Sequence, residues 1–188
     1  KSSTTVRIIR GKYKTRKYGI PKKFPSRPTT DFAKEGLFNV LSHQMVLDDL
    51  TILDLCAGTG SISIEFLSRD AGNVVAVDMN YNCVKHIQTM AERFECTDDL
   101  IVYKQEMLRF LEKTTQKFDL IFADPPYDYD KHERIAEIVF ERGLLEEDGL
   151  LVIEHGKQTD LSAITNFDIS RIYGNVHFSF LHTNDKDE

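Results

Sequence analysis

The chain has 188 residues, of which 41% are hydrophobic, and its formal net charge is −6. This length suits one compact domain with a real core, and no apolar run reaches the 18 or so residues that a membrane-spanning helix needs. A basic N-terminus without an apolar stretch behind it does not predict a signal peptide. The three cysteines, Cys56, Cys83 and Cys96, lack metal-ligand spacing, which predicts free thiols in a reducing cytosol and no bound metal.

The charge is unevenly distributed along the chain. Residues 1–27 hold ten Lys or Arg and no Asp or Glu, whereas the rest holds 14 basic and 30 acidic residues, a net of −16. Such a polarised molecule indicates a polyanionic partner, although a solvated basic tail would have the same composition. The cations expected to contact nucleic-acid phosphates are Arg7, Arg10, Lys12, Lys14, Arg16, Lys17 and Arg27.

In chain order, the first predicted elements are short strands within this basic segment. β-branched and aromatic residues are interleaved with cations over Val6–Ile20, which favours strands joined by a turn over a disordered tail. Because the cations partly alternate with apolar residues, one strand face is expected to present several of them to phosphates. A stiff, proline-containing connector follows, and it divides a basic β-extension, residues 1–27, from a main domain, residues 28–188.

From residue 29 onward, helices and strands alternate. Thr29–Asp31 is predicted to cap a helix that runs to about His43. The strands that follow are predicted at 51–55, 73–77, 100–103, 118–123 and 150–154, with helices at 61–69, 80–94, 106–113 and 131–142. This alternation implies parallel βαβ units. Residues 169–173 and 176–181 flank Gly174-Asn175 as a hairpin, so the last strand is expected to run antiparallel to its neighbour.

The first strand of the predicted sheet ends in a glycine loop that begins at Asp54. Ligands of open α/β sheets lie beyond the carboxyl ends of strands, and Gly58 and Gly60 let the backbone approach them closely. Asp78 ends the next strand, 18 residues after Gly60, where a carboxylate can accept hydrogen bonds from ribose hydroxyls.

A dinucleotide or S-adenosylmethionine would suit this layout. The alternative is that the two glycines only form a turn and that no ligand binds there. Ser63 stands where the dinucleotide fingerprint requires its third glycine. Asp54 would repel a pyrophosphate but can pair with the ammonium of a methionine moiety. These two residues favour S-adenosylmethionine as the cofactor.

Further cofactor contacts are expected next to these positions. Ala57 lies within the glycine loop, and Met79 follows Asp78. After the third strand, Glu106 can receive the adenine amino group, while Met107 offers the ring an apolar face and a backbone N–H. Glu106 has a plainer interpretation as the first residue of a helix.

The strand predicted at 118–123 runs directly into Asp124-Pro125-Pro126-Tyr127. The two prolines fix the backbone, so the acid and the aromatic side chain are held in place. The exocyclic amine of a nucleobase is a poor nucleophile because its lone pair is delocalised into the ring. If Asp124 and the Pro125 carbonyl accept its N–H groups, the nitrogen can aim its lone pair at a methyl donor, while Tyr127 stacks on the base.

These motifs together resemble the RsmD family of bacterial 16S rRNA guanine-N2 methyltransferases. The segments that carry the resemblance are residues 7–13, 27–31, 35–39, 54–60 and 124–127. The resemblance implies a Rossmann-like class I S-adenosylmethionine-dependent methyltransferase fold, in which the last of seven strands is antiparallel, plus a small N-terminal β-extension that holds rRNA. It also implies a guanine substrate in 16S rRNA, within an assembled or partly assembled small subunit. We expect a cytoplasmic monomer.

Two other functions remain compatible with the residues. Asp-Pro-Pro-Tyr also serves adenine-N6 methyltransferases that act on RNA or DNA, and a non-catalytic rRNA-binding assembly factor could retain the same fold. The six histidines do not cluster in the sequence, and His155 is expected to be structural. Phe178 and Phe180 are expected in the core.

Overall fold

A two-stranded ribbon and a seven-stranded sheet with flanking helices make up the computed structural model, which describes residues 4–183. Lys1–Ser3 of the expected β-extension, and residues 184–188 of the expected main domain, lie outside the described residues. Within the described residues, no helix is both long enough and apolar enough to cross a membrane.

The ribbon consists of β1 (Thr5–Arg7) and β2 (Lys17–Gly19), which pair antiparallel with Val6 opposite Tyr18. Both of these central side chains are buried, so the predicted pair of short strands is confirmed. The prediction that one strand face presents several of the cations is wrong. Only Arg7 and Lys17 lie in strands, because the intervening residues form a chain of turns rather than extended backbone.

Helix α1 (Asp31–Gln44) begins as the sequence predicts. The Thr30 hydroxyl accepts the N–H of Ala33 at 3.2 Å, which satisfies one of the donors that a helix N-terminus leaves unpaired. Its apolar side, which includes Leu37, Phe38 and Leu41, is completely buried. The helix therefore covers one face of the large sheet's core.

The large sheet is Rossmann-like, with strand order β5-β4-β3-β6-β7-β9-β8. Its parallel part consists of β3 (Thr51–Leu55), β4 (Asn73–Asp78), β5 (Leu100–Lys104), β6 (Phe118–Ala123) and β7 (Leu145–His155). The crossover helices are α2 (Ser61–Ser68), α3 (Tyr81–Arg93), α4 (Met107–Lys113) and α5 (His132–Glu141). The order reverses at β3, so the ends of β3, β4 and β6 meet where such sheets bind ligands.

The sheet closes with the predicted hairpin of β8 (Phe167–Tyr173) and β9 (Val176–His182). The last strand, β9, lies between β7 and β8 and runs antiparallel to both, as expected. Phe178 and Phe180 are fully buried, as predicted. Strand β7 begins five residues earlier than the sequence pattern suggests, because Leu145 pairs with Phe118 before an irregularity in the register.

The ribbon segment is attached to the main sheet by a buried ionic cluster. The Glu65 carboxylate, on α2, accepts the backbone N–H groups of Ile9 at 2.8 Å and Arg10 at 3.2 Å. Lys34, on α1, lies 3.7 Å from Glu65 and donates to the Arg7 carbonyl at 2.7 Å; the side chains of Lys34 and Glu65 are almost fully buried. A buried ion pair tolerates such desolvation only when its remaining hydrogen bonds are made, as they are here.

A second contact joins the ribbon to the glycine loop. The Tyr18 hydroxyl is buried and donates to the carbonyl oxygen of Thr59 at 3.0 Å. Val6, Ile8 and Tyr18 belong to the same apolar cluster as the α1 side of the sheet. The extension thus shares its core with the helices that pack on the sheet.

Candidate active site

The loop after β3 requires glycine for steric reasons. Gly58 and Gly60 have φ angles of +54° and +77°, in the left-handed region that other residues rarely adopt. A Cβ on Gly58 would lie 2.3 Å from the Ser26 hydroxyl. The loop is therefore packed tightly beneath the connector that follows the ribbon, and Gly60 leads directly into α2.

Asp78 holds this loop in place from the neighbouring strand. One of its carboxylate oxygens accepts the Gly58 N–H and the other accepts the Asn80 N–H, both at 2.9 Å. Asp78 also lines a cavity at the carboxyl ends of the strands. Asp78, the residue predicted to bind the ribose, therefore fixes the loop conformation and also borders the open cavity.

Asp54 is buried at the end of β3, with 1% of its surface exposed. The Ser63 hydroxyl donates to it at 2.6 Å. Burial raises the pKa of Asp54 to about 7, although the hydrogen bond from Ser63 acts in the opposite direction. Asp54 and Ala57 line a small cavity that also reaches Asp124. A buried acid, predicted from the sequence to bind an ammonium group, therefore lies next to Asp124–Tyr127, the predicted reaction motif.

The reaction motif follows β6, the strand that pairs with β3. Asp124 donates its backbone N–H to the Leu55 carbonyl at 3.2 Å, which ties the start of the motif to the end of β3. Pro126 accepts the N–H of Tyr129 at 2.9 Å and so closes a turn. The Tyr127 side chain is 83% exposed beside the cavity, where a flat base can stack on it.

The structure brings most of the predicted cofactor and reaction residues around two adjoining cavities. The larger is lined by Asp78, Met79, Met107, Asp124, Pro125, Pro126 and Tyr127. Gly58 and Gly60 contribute to the site by allowing the left-handed backbone conformation of the loop after β3. Glu106 does not line either cavity; its side chain caps α4 by accepting the N–H of Arg109 at 3.0 Å. Its neighbours Gln105 and Met107 face the larger cavity.

Glu154 is a site residue that the sequence reasoning missed. It lies near the end of β7, within hydrogen-bonding reach of the Asp124 carboxyl group, and accepts the Thr29 hydroxyl at 3.1 Å. Burial raises the pKa of Asp124 well above its usual range, and repulsion from Glu154 adds to this; burial also raises the pKa of Glu154. The rule that ligands gather at the carboxyl ends of strands would have found it.

No sequence signal marks the other lining residues as part of the cavity wall. They come from the connector and from the first turn after each strand: Pro25, Ser26, Cys56, Asn80, Cys83 and Gln105. The connector therefore forms one wall of the site, because it crosses the carboxyl edge of the sheet.

Four of the predicted phosphate-binding cations surround one groove on the ribbon side: Arg7, Arg10, Lys14 and Lys17. All four side chains are exposed, and Arg7 forms an ion pair of 3.1 Å with Asp31 on α1. Such a cluster can neutralise several phosphates along one strand.

The remaining predicted cations lie elsewhere. The Arg16 guanidinium is 4.1 Å from the centre of the Phe94 ring, and the Lys12 ammonium is 5.2 Å from that of Tyr13. Arg27 is exposed and lines both active-site cavities. Arg27 is therefore the cation that connects the basic extension with the reaction motif.

Three histidines do lie together, contrary to the impression from the sequence. The ring of His155 is 6.2 Å from that of His132 and 5.5 Å from that of His177. His155 is buried and bonded to the Ser179 hydroxyl at 2.7 Å, as a structural histidine would be. Among residues 4–183, no group of His, Cys, Asp or Glu is arranged to hold a metal ion.

The sheet order and the two motifs define a Rossmann-like fold of the class I methyltransferase type. A family model described as "Conserved hypothetical protein 95" matches residues 6–182, and the chain belongs to this family. "Ribosomal RNA small subunit methyltransferase D" of Haemophilus influenzae is 30% identical over 165 residues, which cover 86% of this chain and 84% of that protein. The resemblance to the RsmD family is thereby confirmed.

Solved structures share the fold across most of the chain. The protein described as "Putative methyltransferase yhhF" from Escherichia coli superposes with a TM-score of 0.84 at 24% identity, covering 97% of this chain and 99% of that one. An RNA methyltransferase from Salinibacter ruber, solved with S-adenosyl-L-homocysteine, has a TM-score of 0.67 at 13% identity and covers 86% and 96% of the two chains. The expected fold is confirmed.

Proposed function

We propose that the protein transfers a methyl group from S-adenosylmethionine to the exocyclic N2 amine of a guanine in 16S rRNA of the small ribosomal subunit. The observation that carries the proposal is the position of Asp124–Tyr127 at the end of β6, beside the glycine loop of β3. The relative from Haemophilus influenzae, whose name states that it methylates small-subunit rRNA, supports the same substrate.

The residues present fit S-adenosylmethionine as the cofactor. Arg27 is the single cation among the described residues that line the two cavities, whereas Asp54, Asp78, Asp124 and Glu154 are acids. Acidic surroundings favour a ligand that carries positive charge on both an ammonium and a sulfonium. When bound, this cofactor supplies a methyl group on positively charged sulfur. Asp54 would hold the ammonium, and Asp78 the ribose.

The chain's own contribution to the reaction is positioning. Asp124 and the Pro125 carbonyl oxygen accept N–H groups of the amine, so its lone pair is released from the ring and directed at the methyl group. Tyr127 stacks on the base, and such contacts are worth about 1–3 kcal/mol. The amine would gain the methyl group as the bond between methyl and sulfur breaks, and it would release one proton to solvent. The base would then be neutral, and the cofactor would be left as an uncharged thioether.

We also propose that the basic segment holds the rRNA while the target base enters the site. The groove around Arg7, Arg10, Lys14 and Lys17 provides phosphate contacts, and Arg27 extends the positive surface to the cavity. The partner is an assembled or partly assembled small subunit, and the protein acts as a monomer. The oligomeric state is measured directly by light scattering during gel filtration.

The test uses small subunits from a strain that lacks the gene for this protein, incubated with the protein and methyl-labelled S-adenosylmethionine. Nucleoside analysis is expected to give N2-methylguanosine. Recovery of N6-methyladenosine would overturn the choice of guanine, and absence of transfer despite cofactor binding would indicate an assembly factor. Asp124→Ala is expected to abolish transfer while cofactor affinity changes less than about twofold; a tenfold loss would place Asp124 in cofactor binding.

A further inference from the structure

Two carboxyl groups meet at the inner end of the reaction cavity, and one of them lies outside the Asp-Pro-Pro-Tyr motif. Asp124 follows β6, and Glu154 lies on the adjacent strand, next to Ile153, which pairs with Ala123. The two carboxyl groups lie within hydrogen-bonding reach of each other, and both line the cavity beside Tyr127. Whatever base stacks on Tyr127 therefore faces a pair of acids.

The pair carries one proton, because two buried carboxylates in contact cannot both ionise readily. Glu154 accepts the Thr29 hydroxyl at 3.1 Å, a hydrogen bond that favours its ionised form. On this ground the proton lies on Asp124, whose other oxygen remains free to accept. Glu154 is then a carboxylate that can only accept hydrogen bonds.

Guanine and adenine differ in the group next to the amine that is methylated. In guanine, the N2 amine is adjacent to N1–H, so two donors stand side by side. In adenine, the N6 amine is adjacent to an N1 lone pair. Two neighbouring acceptors match the guanine edge, whereas adenine would bring a lone pair against the Glu154 carboxylate.

We infer that Glu154 selects guanine over adenine by accepting N1–H of the target base, while Asp124 accepts an N–H of the N2 amine. The inference rests on the proposed function and adds a specificity-determining residue to it. A site built around such a donor discriminates strongly against bases without it, because the buried acceptor would be left unpaired.

The experiment replaces the target guanosine, at the position mapped by the labelling reaction, with 2-aminopurine riboside. This base keeps the 2-amine but has no hydrogen on N1. Wild-type protein is expected to methylate guanine about 10- to 100-fold faster, the range for loss of a hydrogen bond to a charged group. In Glu154→Gln, the rate on guanine is expected to fall about tenfold or more, and the preference to shrink below about threefold.

The comparison between bases isolates the N1 contact. 2-Aminopurine also lacks the O6 atom, but that loss affects wild type and variant alike. Glu147→Gln, an exposed position on the same strand, is the matched control and should keep the full preference. Thermal unfolding and cofactor affinity are measured for each variant to confirm that the site is intact.

A Glu154→Gln protein that keeps the wild-type preference would overturn the inference and leave the proposed function standing. The same holds if wild-type protein methylates 2-aminopurine as fast as guanine, a measurement that requires no variant. If wild-type protein yields no N2-methylguanosine at all, the proposed function fails and the inference falls with it.

Discussion

Replacement of Asp54 by Asn should stabilise the protein more at high pH than at low pH. Burial raises the pKa of Asp54 from 3.8 to about 7. The unfolded chain therefore releases this proton near pH 4, while the folded protein keeps it until about pH 7. The stability that Asp54 contributes in its protonated form is thus lost progressively as the pH rises through that interval.

The size of the effect follows from the shift. Each pKa unit corresponds to about 1.4 kcal/mol, so full ionisation of Asp54 costs roughly 4 kcal/mol, of which about 2–3 kcal/mol develops between pH 5 and pH 8. Asn has the same shape and does not titrate, so the stability difference between Asp54→Asn and wild type should grow by that amount. Cofactor affinity should fall roughly tenfold, because the ammonium loses its charged partner.

Urea unfolding at pH 5 and pH 8 gives the stability difference, and calorimetric titration gives the affinity. Asp98→Asn, at an exposed position, is the matched control with which the values for Asp54→Asn are compared. If the difference for Asp54→Asn stays constant within about 0.5 kcal/mol, the usual error of additivity, the reasoning about Asp54 is refuted.

Three further substitutions test other parts of the molecule. Glu65→Gln should destabilise the fold by about 3–5 kcal/mol in urea unfolding, because Lys34 is left buried without its partner; a loss below about 1 kcal/mol would contradict this. Gly58→Ala should weaken cofactor binding at least tenfold in calorimetry, because φ is +54° at this position and an alanine there strains the loop. Unchanged binding would show that the loop accepts alanine without strain. Lys17→Ala should lower the salt dependence of rRNA binding, measured as the slope of log K against log salt concentration, by about one counterion. The control Lys117→Ala, at an exposed position, should leave this slope unchanged. Equal slopes for the two variants would exclude Lys17 from the interface.

Much of the fold was predictable because its signals are local. The strands of the parallel sheet are short apolar runs, and their helices begin at capping residues such as Thr30 and Asn80, whose side chains accept backbone N–H groups nearby. The start of β7 was not predictable from the sequence. Glu146–Asp148 is exposed and polar, so no alternation of apolar and polar residues marks the pairing of Leu145 with Phe118.

The candidate site was predictable only where its residues form contiguous motifs. Asp54–Gly60 and Asp124–Tyr127 stand out as sequence, whereas Glu154 depends on a contact with Asp124 across 30 positions and on the Thr29 hydroxyl, 125 positions away. The arrangement of the ribbon cations also escaped prediction. Stacking of Arg16 on Phe94 is a tertiary contact, and no local pattern distinguishes it from an exposed arginine.

The hydrogen bond from Tyr18 to Thr59 joins the ribbon, which we propose holds rRNA, to the glycine loop of the proposed cofactor site as one mechanical unit. A protein cut after the ribbon would leave the glycine loop without its support and bare the apolar surface that Val6, Ile8 and Tyr18 cover. The extension is therefore a poor candidate for transplantation onto another enzyme. The segment between β1 and β2 is equally unsuited to insertions, because Glu65 holds the backbone N–H groups of Ile9 and Arg10 and the Ser68 carbonyl holds that of Lys12.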